Sequence, residues 1–177
     1  TFTANGEYVA QYDSAGATIT VNYSYIDKAN NNALVTGTFT KDSLTGYNYA
    51  IVETVPDEPA ANTTYITYDE ILNVEHYEFA SATPASGTVS ATGANVTAQF
   101  KAVEYTATFT GGTPETVGVA YYDKLTSLPE APAAETGWQF DGWYNGDVKA
   151  VANETVITGD VTFEAKYSKI PRTVTYV

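Results

Sequence analysis

The sequence predicts a mostly β protein with little helix, and three observations support this fold class. Thr, Tyr and Val dominate the composition, and β-branched and aromatic residues are the usual residues of strands. Apolar and polar residues alternate along several short stretches, which is the period-two pattern of a half-buried strand. Glycine, asparagine and proline separate these stretches, as turn residues separate strands. The alternation by itself predicts only antiparallel sheets.

The size and charge of the chain limit its function classes. With 177 residues, 44% of them hydrophobic, the chain can form one large domain or two small ones. Its 8 Lys and Arg against 21 Asp and Glu give a net charge of -13, which argues against nucleic acid and anionic membranes as partners, because both require a basic surface. The absence of Cys excludes disulfides and thiolate metal sites. The chain contains no run of about 18 apolar residues, so the sequence predicts no membrane insertion.

The beginning of the chain predicts an excerpt from a longer protein. Residue 1 is Thr, the chain contains no Met, and no basic-then-apolar leader precedes the first strand. We therefore expect the signal peptide, and any surface anchor, to lie outside this fragment.

A short pattern recurs along the chain and predicts two modules. An Ala-polar-aromatic strand end follows a turn and precedes a new alternating strand at three places: Ala10-Gln11-Tyr12, Ala98-Gln99-Phe100 and Ala165-Lys166-Tyr167. Three strand ends, each followed by a strand start, delimit complete modules at 17–101 and 102–168. Residues 1–16 then hold the closing strand of an upstream module or a leader, and 169–177 the start of a downstream module or a tail. Alternatively, both flanking strands pair onto the two modules as extra edges.

The first module is expected to open with a hairpin. Alternation from Ile19 to Tyr25 predicts its first strand, and Leu34 to Thr40 is the return strand. The run Asn30-Asn31-Asn32 predicts the reversal between them, because asparagine tolerates left-handed backbone angles. The remaining expected elements are a strand at 47–55, a single helical turn at 68–72 and a closing strand at 95–100.

The order of motifs in this module resembles the mucin-binding-protein (MucBP) type repeat. Its opening strand matches at Val21, Tyr23 and Asp27. The closing part, a Tyr-x-Phe strand, a Pro-x-Ser-Gly-x-Val turn and a final strand, matches at Tyr77, Phe79, Pro84, Ser86, Gly87, Val89 and Phe100. The stretch 46–73 is longer than the family's usual spacing, which indicates an insertion loop there.

The stretch from Gly137 to Tyr144 is the most distinctive motif of the chain. It reads Gly-Trp-Gln-Phe-Asp-Gly-Trp-Tyr and is similar to the signature of the internalin-type B-repeat (Listeria-Bacteroides repeat), Gly-aromatic-x-Phe-x-Gly-Trp-aromatic. Trp138 stands where that family usually carries Tyr. After the signature, Asn145-Gly146 suits a type I′ hairpin turn. The other landmarks of the family are also present in order. Before the signature are a strand at 105–109, the turn Gly111-Gly112, a strand at 116–122 and a proline-bearing crossover at 128–132, and after it is a closing strand at 160–167.

These two resemblances imply a fold and a biological setting. Both families are associated with β-grasp, ubiquitin-like folds, so we expect two small β-grasp modules in tandem, with neighbouring repeat modules of the same chain as partners. Such a segment belongs to a bacterial surface protein, secreted, anchored to the cell wall or otherwise extracellular. Its expected role is that of a non-catalytic adhesin segment that binds host mucin, other glycans or a surface protein. Two alternatives stay open: a structural stalk that projects a distal domain, and a carbohydrate-binding accessory module.

The signature leaves two arrangements of its aromatic residues open. Trp143 is expected in the core. In a regular strand, Phe140 and Trp138 would then point to the opposite face. A β-bulge at Gly142 would instead return Phe140 to the face of Trp143, and burial of both rings favours this arrangement. With the bulge, Trp138 is expected to face the core as well.

Catalytic and metal-binding residues are not predicted. His76 is the only histidine and no nucleophile motif lies near it, which disfavours a Ser-His-Asp site and a histidine-based metal cluster. The carboxylate pairs Asp57/Glu58 and Asp69/Glu70 are sequence neighbours, and neighbours on a strand point to opposite faces. We therefore expect no enzyme activity, no cofactor and no metal.

Aromatic side chains are the candidates for ligand binding. The 15 tyrosines exceed what two small cores require, and the faces of Tyr and Trp suit sugar rings. The candidate residues are Tyr144, Tyr121, Tyr122 and Trp138. The alternative is that the tyrosines only form strands and fill sheet edges.

A Lys-Asn isopeptide crosslink is one further hypothesis, because some surface adhesins use it in place of disulfides. It needs a buried Lys, a buried Asn and an acid together. Lys101 or Lys166 with Asn22 or Asn95 are the candidates, and a mass lower by one ammonia would reveal the bond.

Overall fold

The computed structural model describes residues 15–173, and these residues divide into two compact units. The first unit comprises residues 15–26 and 34–101. The second unit comprises residues 27–33 and 102–173.

Some of the predictions concern residues that the structure does not describe. Residues 1–14 and 174–177 lie outside the described residues, and with them most of the flanking strands predicted at 1–16 and 169–177. The module boundary predicted between residues 101 and 102 stays a prediction.

The first unit combines strands with one helical turn. Within the described residues its elements are β1 (Gly16–Asp27), β2 (Ala33–Leu44), β3 (Asn48–Val52), β4 (Thr63–Thr67), α1 (Tyr68–Ile71), β5 (Tyr77–Thr83), β6 (Ser86–Thr88) and β7 (Ala94–Ala102). One sheet has the strand order β2-β1-β7-β5, and a second has the order β4-β3-β6. β1 and β7 run parallel, with Ile19 opposite Ala94 and Ser24 opposite Gln99.

The alternation along β1 produces the core of the first unit. Ile19 and Val21 are fully buried, whereas Asn22 is exposed on the other face. The two buried residues join a cluster that includes Ile66 of β4 and Val96 of β7. Apolar side chains from both sheets therefore meet in one hydrophobic core.

Two local predictions for this unit are confirmed. Asn31 and Asn32 have φ angles of 53° and 57°, the left-handed values expected for the reversal after β1. The predicted helical turn is α1, which begins with a capping box: the backbone N–H of Glu70 donates to the Thr67 hydroxyl, and the Glu70 carboxylate accepts from the Thr67 backbone N–H. The Glu70 carboxylate also pairs with Lys41, so the short helix is fixed to β2.

The second unit contains one five-stranded sheet. Its strands are β8 (Glu104–Phe109), β9 (Thr116–Ala120), β10 (Trp138–Asn145), β11 (Val148–Lys149) and β12 (Val161–Lys169), arranged in the order β11-β10-β12-β8-β9. β8 and β12 run parallel, with Ala107 opposite Val161. The core contains Phe109, Trp143 and Phe163. The Phe109 ring contacts the Trp143 ring at a centroid distance of 5.2 Å and the Phe163 ring at 5.0 Å.

The prediction of a mostly β chain is confirmed, although the strand directions differ from what the alternation predicted. The described residues form three small mixed sheets. Each sheet contains a parallel pair: β1 with β7, β3 with β4 and β8 with β12. Alternation reports that one face of a strand is buried and carries no information on direction, so it could not distinguish these pairs from antiparallel ones. The described part of the chain holds no helix with the length and apolarity that a bilayer crossing requires.

Candidate ligand groove in the second unit

The predicted bulge is present in β10 and determines which face each aromatic residue occupies. Phe140 lies opposite Tyr167 of β12, and Gly142 lies opposite Lys166, so Asp141 is the extra residue between them. Gly142 has a φ angle of 146°, which L side chains rarely adopt. Glycine is therefore required where the strand bends.

The bulge places Trp143 in the core, as predicted. Its side chain is 0% exposed, and its indole Nε1 donates a hydrogen bond to the carbonyl oxygen of Pro129 at 3.0 Å. The Phe140 ring contacts the Trp143 ring at 5.8 Å and the Tyr167 ring at 5.7 Å. The three rings thus share one face of the sheet.

The expectation that this arrangement buries Phe140 was wrong, since Phe140 is 41% exposed. Along β12 the core extends as far as Ala165, and Tyr167 with its partner Phe140 lies beyond that end. Trp138 lies further out on the same strand and is 37% exposed. It is on the side of the sheet that was expected, but outside the core.

The exposed end of this face forms one wall of a groove of about 580 Å³. Its lining residues are Thr110, Pro132, Ala133, Ala134, Glu135, Trp138, Glu164, Ala165 and Tyr167. The segment 132–135 forms the opposite wall. Two hydrogen bonds hold that wall to the sheet: the Tyr167 hydroxyl donates to the Pro132 carbonyl at 2.7 Å, and the Trp138 backbone N–H donates to the Glu135 carbonyl at 2.9 Å. These two hydrogen bonds therefore hold the walls of the groove together.

Negatively and positively charged side chains lie in and beside the groove. Glu135, in the wall opposite the sheet, supplies a carboxylate. The backbone hydrogen bond between Glu135 and Trp138 keeps this residue and the indole together at the groove. Lys169 lies opposite Trp138 in the sheet, and its Nζ is 5.7 Å from the centroid of the Trp138 ring. An aromatic ring bordered by a carboxylate that accepts from hydroxyls and by a cation suits the recognition of a polar, ring-shaped ligand.

The structure does not bring the predicted ligand-binding residues together into one surface. Tyr144 points to the other face of β10, where Lys149 and Lys166 lie 5.9 and 4.7 Å from its ring centroid. Tyr121 and Tyr122 follow β9, and their rings contact each other at 5.7 Å. Of the predicted residues, Trp138 is the one that lines the groove of about 580 Å³. The assignment of a ligand to any of them stays a prediction.

Apart from Trp138, the lining residues of the groove were not among the predicted site residues. They include Tyr167 and the wall at 132–135, which contains Glu135. Tyr167 belongs to a strand that was predicted, and its pairing opposite Phe140 is the feature that brings it to the groove. The proline-bearing crossover was also predicted, but only the tertiary fold shows that its end lies beside Trp138.

The histidine and the acidic side chains are the remaining candidates for metal binding or catalysis. No group of three or more His, Asp and Glu side chains within 15–173 is arranged to hold a metal ion. His76 has a φ angle of 70°, and its Nε2 lies 3.7 Å from the Glu75 carboxylate. The pKa of Glu70 is lowered, mainly because its carboxylate accepts a hydrogen bond from Lys41. Glu70 is part of the α1 cap and is far from every groove residue in sequence.

The exposure of the two candidate lysines contradicts the isopeptide hypothesis. The Lys101 side chain is 64% exposed and pairs with the Glu78 carboxylate at 3.0 Å. The Lys166 side chain is also exposed and pairs with Asp147 at 3.3 Å. Neither lysine has the buried environment that the crosslink requires.

The hairpin after the signature differs in detail from the prediction. Asn145 pairs with Val148, so Gly146 and Asp147 are the two loop residues. Gly146 has a φ angle of 58°, whereas Asp147 has no positive φ. A positive φ at the first loop residue alone is the pattern of a type II′ turn, not of the expected type I′.

A comparison of the chain with models of known protein families found no match.

Proposed function

We propose that this chain is a non-catalytic, extracellular repeat segment of a bacterial surface adhesin that binds host glycans, such as those of mucin, in the groove of its second unit. The observation that carries the proposal is the exposed aromatic face at that groove. Trp138 lines the groove and is 37% exposed, and Phe140, which contacts the lining residue Tyr167, is 41% exposed, although both are large apolar side chains. Aromatic faces held at a groove are suited to stacking against a sugar ring.

The rigidity of this face supports a binding role. The rings of Phe140, Tyr167 and Trp143 contact each other, and Trp143 is fixed in the core. The Tyr167 hydroxyl is held by the Pro132 carbonyl at 2.7 Å. A site whose side chains are already fixed loses little conformational entropy when it binds a ligand.

The strand order supports the proposed β-grasp fold of both units. In the first unit the order is β2-β1-β7-β5, and in the second the corresponding order is β9-β8-β12-β10 with β11 added. In each, the first strand lies beside the last and runs parallel to it. A mixed sheet with a parallel central pair is compatible with the β-grasp fold that the B-repeat and MucBP resemblances imply.

Direct binding to a panel of mucins and defined glycans tests the function. We expect saturable binding that Trp138→Ala weakens about fivefold or more, since loss of one stacked ring removes on the order of 1 kcal/mol. Tyr144→Ala is the matched control, because Tyr144 lies on the other face of the same strand. Equal loss in both variants would contradict a site in the groove.

A structural stalk is the second candidate function. The same strand order in two successive units favours it, because repetition of one architecture is how a spacer gains length. A folded chain that binds no member of the panel would favour the stalk over the adhesin.

A further inference from the structure

We propose that the groove takes a sugar that carries a carboxylate, such as a sialic or uronic acid, with its ring against Trp138 and its carboxylate at Lys169 and Arg172. This inference rests on the proposed function, because it specifies the glycan class for the same groove. Three features of the second unit support it: the position of the two cations, their lack of carboxylate partners within residues 15–173, and the polarity of the groove.

Lys169 lies beside the exposed indole, and Arg172 lies beside Gly137, the residue before Trp138. Trp138 and Lys169 are directly opposite in the antiparallel pair of β10 and β12, so their side chains share one face of the sheet. After β12 the chain stays close to the start of β10, since the Ile170 backbone N–H donates to the Gly137 carbonyl at 2.8 Å. Arg172 follows, and its Nη2 lies 4.0 Å from the position that a Cβ on Gly137 would occupy.

Within the described residues, neither of these cations forms an ion pair with a carboxylate. Half of the basic residues each form an ion pair with a carboxylate, and these are Lys28, Lys41, Lys101 and Lys166. Within residues 15–173, Lys169 and Arg172 form none, although the chain has 21 Asp and Glu against 8 Lys and Arg. Two neighbouring cations without carboxylate partners can give charge-assisted hydrogen bonds to an anionic ligand.

Two acidic residues, Glu135 and Glu164, line the groove. Glu135 is the one hydrogen-bonded to Trp138 through the backbone, and it sets the orientation of the sugar. Glu135 lines the groove, and its carboxylate can accept hydrogen bonds from sugar hydroxyls. The same carboxylate repels the acid group of the sugar and directs it towards Lys169 and Arg172. A groove of about 580 Å³ has room for one or two sugar residues in this orientation.

This arrangement favours an acidic sugar over two other ligands. A neutral sugar would use the indole and the Glu135 carboxylate but would leave both cations without a role. A basic peptide would be attracted by Glu135 but would meet Lys169 and Arg172 at Trp138. An acidic sugar complements all of these groups at once.

The test compares each acidic sugar with its own methyl ester, which keeps the shape and removes the charge. Methyl sialoside, methyl glucuronide, their methyl esters and methyl glucoside are titrated against the 177-residue chain, with the indole NMR signal of Trp138 as readout. We expect at least one acid to bind about tenfold more tightly than its ester, as loss of a charged hydrogen bond predicts. We also expect that preference to fall as salt is raised.

Charge reversal identifies the cations that are responsible. Lys169→Glu is expected to abolish the preference for acid over ester, and Arg172→Ala to reduce it. Lys149→Glu is the matched control: it makes the same change in net charge as Lys169→Glu, but Lys149 lies by Tyr144 on the other face. The control should keep the full preference, and all three substitutions are at exposed positions.

The outcomes separate this inference from the proposed function. Binding of acid and ester with equal affinity, or a preference that survives Lys169→Glu, would overturn the acidic-sugar assignment and leave glycan binding in place. Absence of binding by every sugar, neutral ones included, would overturn both. Binding of the sialoside alone or of the glucuronide alone supports the assignment and identifies which acid is the source.

Discussion

Two tryptophans of one strand differ in their surroundings, and this difference predicts unequal effects on stability. Trp143 is 0% exposed and donates to the Pro129 carbonyl, whereas Trp138 is 37% exposed at the groove. Trp143→Ala should lower the free energy of unfolding of the second unit by about 3–5 kcal/mol, because it leaves a large cavity. Trp138→Ala should change it by less than about 1 kcal/mol. Urea unfolding followed by circular dichroism measures both.

Trp143→Phe separates the packing of the indole from its hydrogen bond. Phenylalanine keeps most of the apolar area and leaves the Pro129 carbonyl without its donor, so a loss of about 1–3 kcal/mol is expected. A loss as large as that of the alanine variant would mean that the hydrogen bond, and not the packing, dominates at this position.

Glu70 gives the first unit a stability that depends on pH. The pKa of Glu70 lies below its ordinary value of 4.5, chiefly because its charged form accepts a hydrogen bond from Lys41, and also from the backbone of Thr67. The stabilisation is thus fully present above the ordinary value and is lost as pH falls through the lowered pKa of the folded state. Glu70→Gln should reduce the free energy of unfolding at pH 7, by about 0.2–1 kcal/mol for a partly exposed pair.

The pH profile of the difference distinguishes this effect from a simple loss of the helix cap. Glutamine can still cap Thr67, so the difference between the wild type and Glu70→Gln should shrink towards zero once the pH is below the lowered pKa of the folded state. Glu58→Gln, in an exposed loop, is the control and should show no comparable difference. A difference that stays constant from pH 7 down to acid would contradict the assignment to the carboxylate.

At the scale of the element, the bulge of β10 depends on Gly142. With φ at 146°, any L residue there is strained, and a Cβ would lie 2.4 Å from Cε of Lys149. Gly142→Ala should therefore cost about 1–3 kcal/mol. The flexible end of Lys149 can move away, so Lys149→Ala should not rescue the variant. Rescue would show that the contact with Lys149, and not the backbone angle, causes the loss.

The same bulge shows how far the sequence could predict the candidate site. The position of Trp143 in the signature predicted its burial, and the glycine within the run of aromatics predicted the bulge and the common face of Phe140 and Trp143. All three are confirmed. It could not predict that Phe140 stays 41% exposed, because exposure depends on where the core ends along β12. A local motif specifies the direction of a side chain, and the neighbouring strands determine what covers it.

Strand directions and distant neighbours were the other features beyond the reach of the sequence. Alternation located the strands well, as with β1 and β7, but gave no information on the parallel pairing between them. In the same way, the approach of segment 132–135 to Trp138 depends on the hydrogen bond from Tyr167 to Pro132, which joins residues far apart in sequence. The predicted ligand residues came from composition, which does not report which tyrosines lie side by side.

At the scale of the whole molecule, each unit has its own hydrophobic core. The core of the first unit includes Ile19 and Val96, and that of the second includes Phe109 and Trp143. Both of the tryptophans in the chain lie in the second unit. Tryptophan fluorescence therefore reports the unfolding of the second unit, whereas far-ultraviolet circular dichroism reports the strands of both.

A core substitution in the first unit should consequently separate the two signals. Val96→Ala removes buried apolar volume from that core and should lower its stability by about 1–3 kcal/mol. The circular dichroism transition should then begin at lower urea, while the midpoint measured by tryptophan fluorescence stays unchanged. Phe163→Ala is the reciprocal variant and should move the fluorescence midpoint, since Phe163 packs in the core of the second unit. A single shared midpoint for both signals in Val96→Ala would mean that the two cores unfold as one cooperative unit, which separate cores alone do not predict.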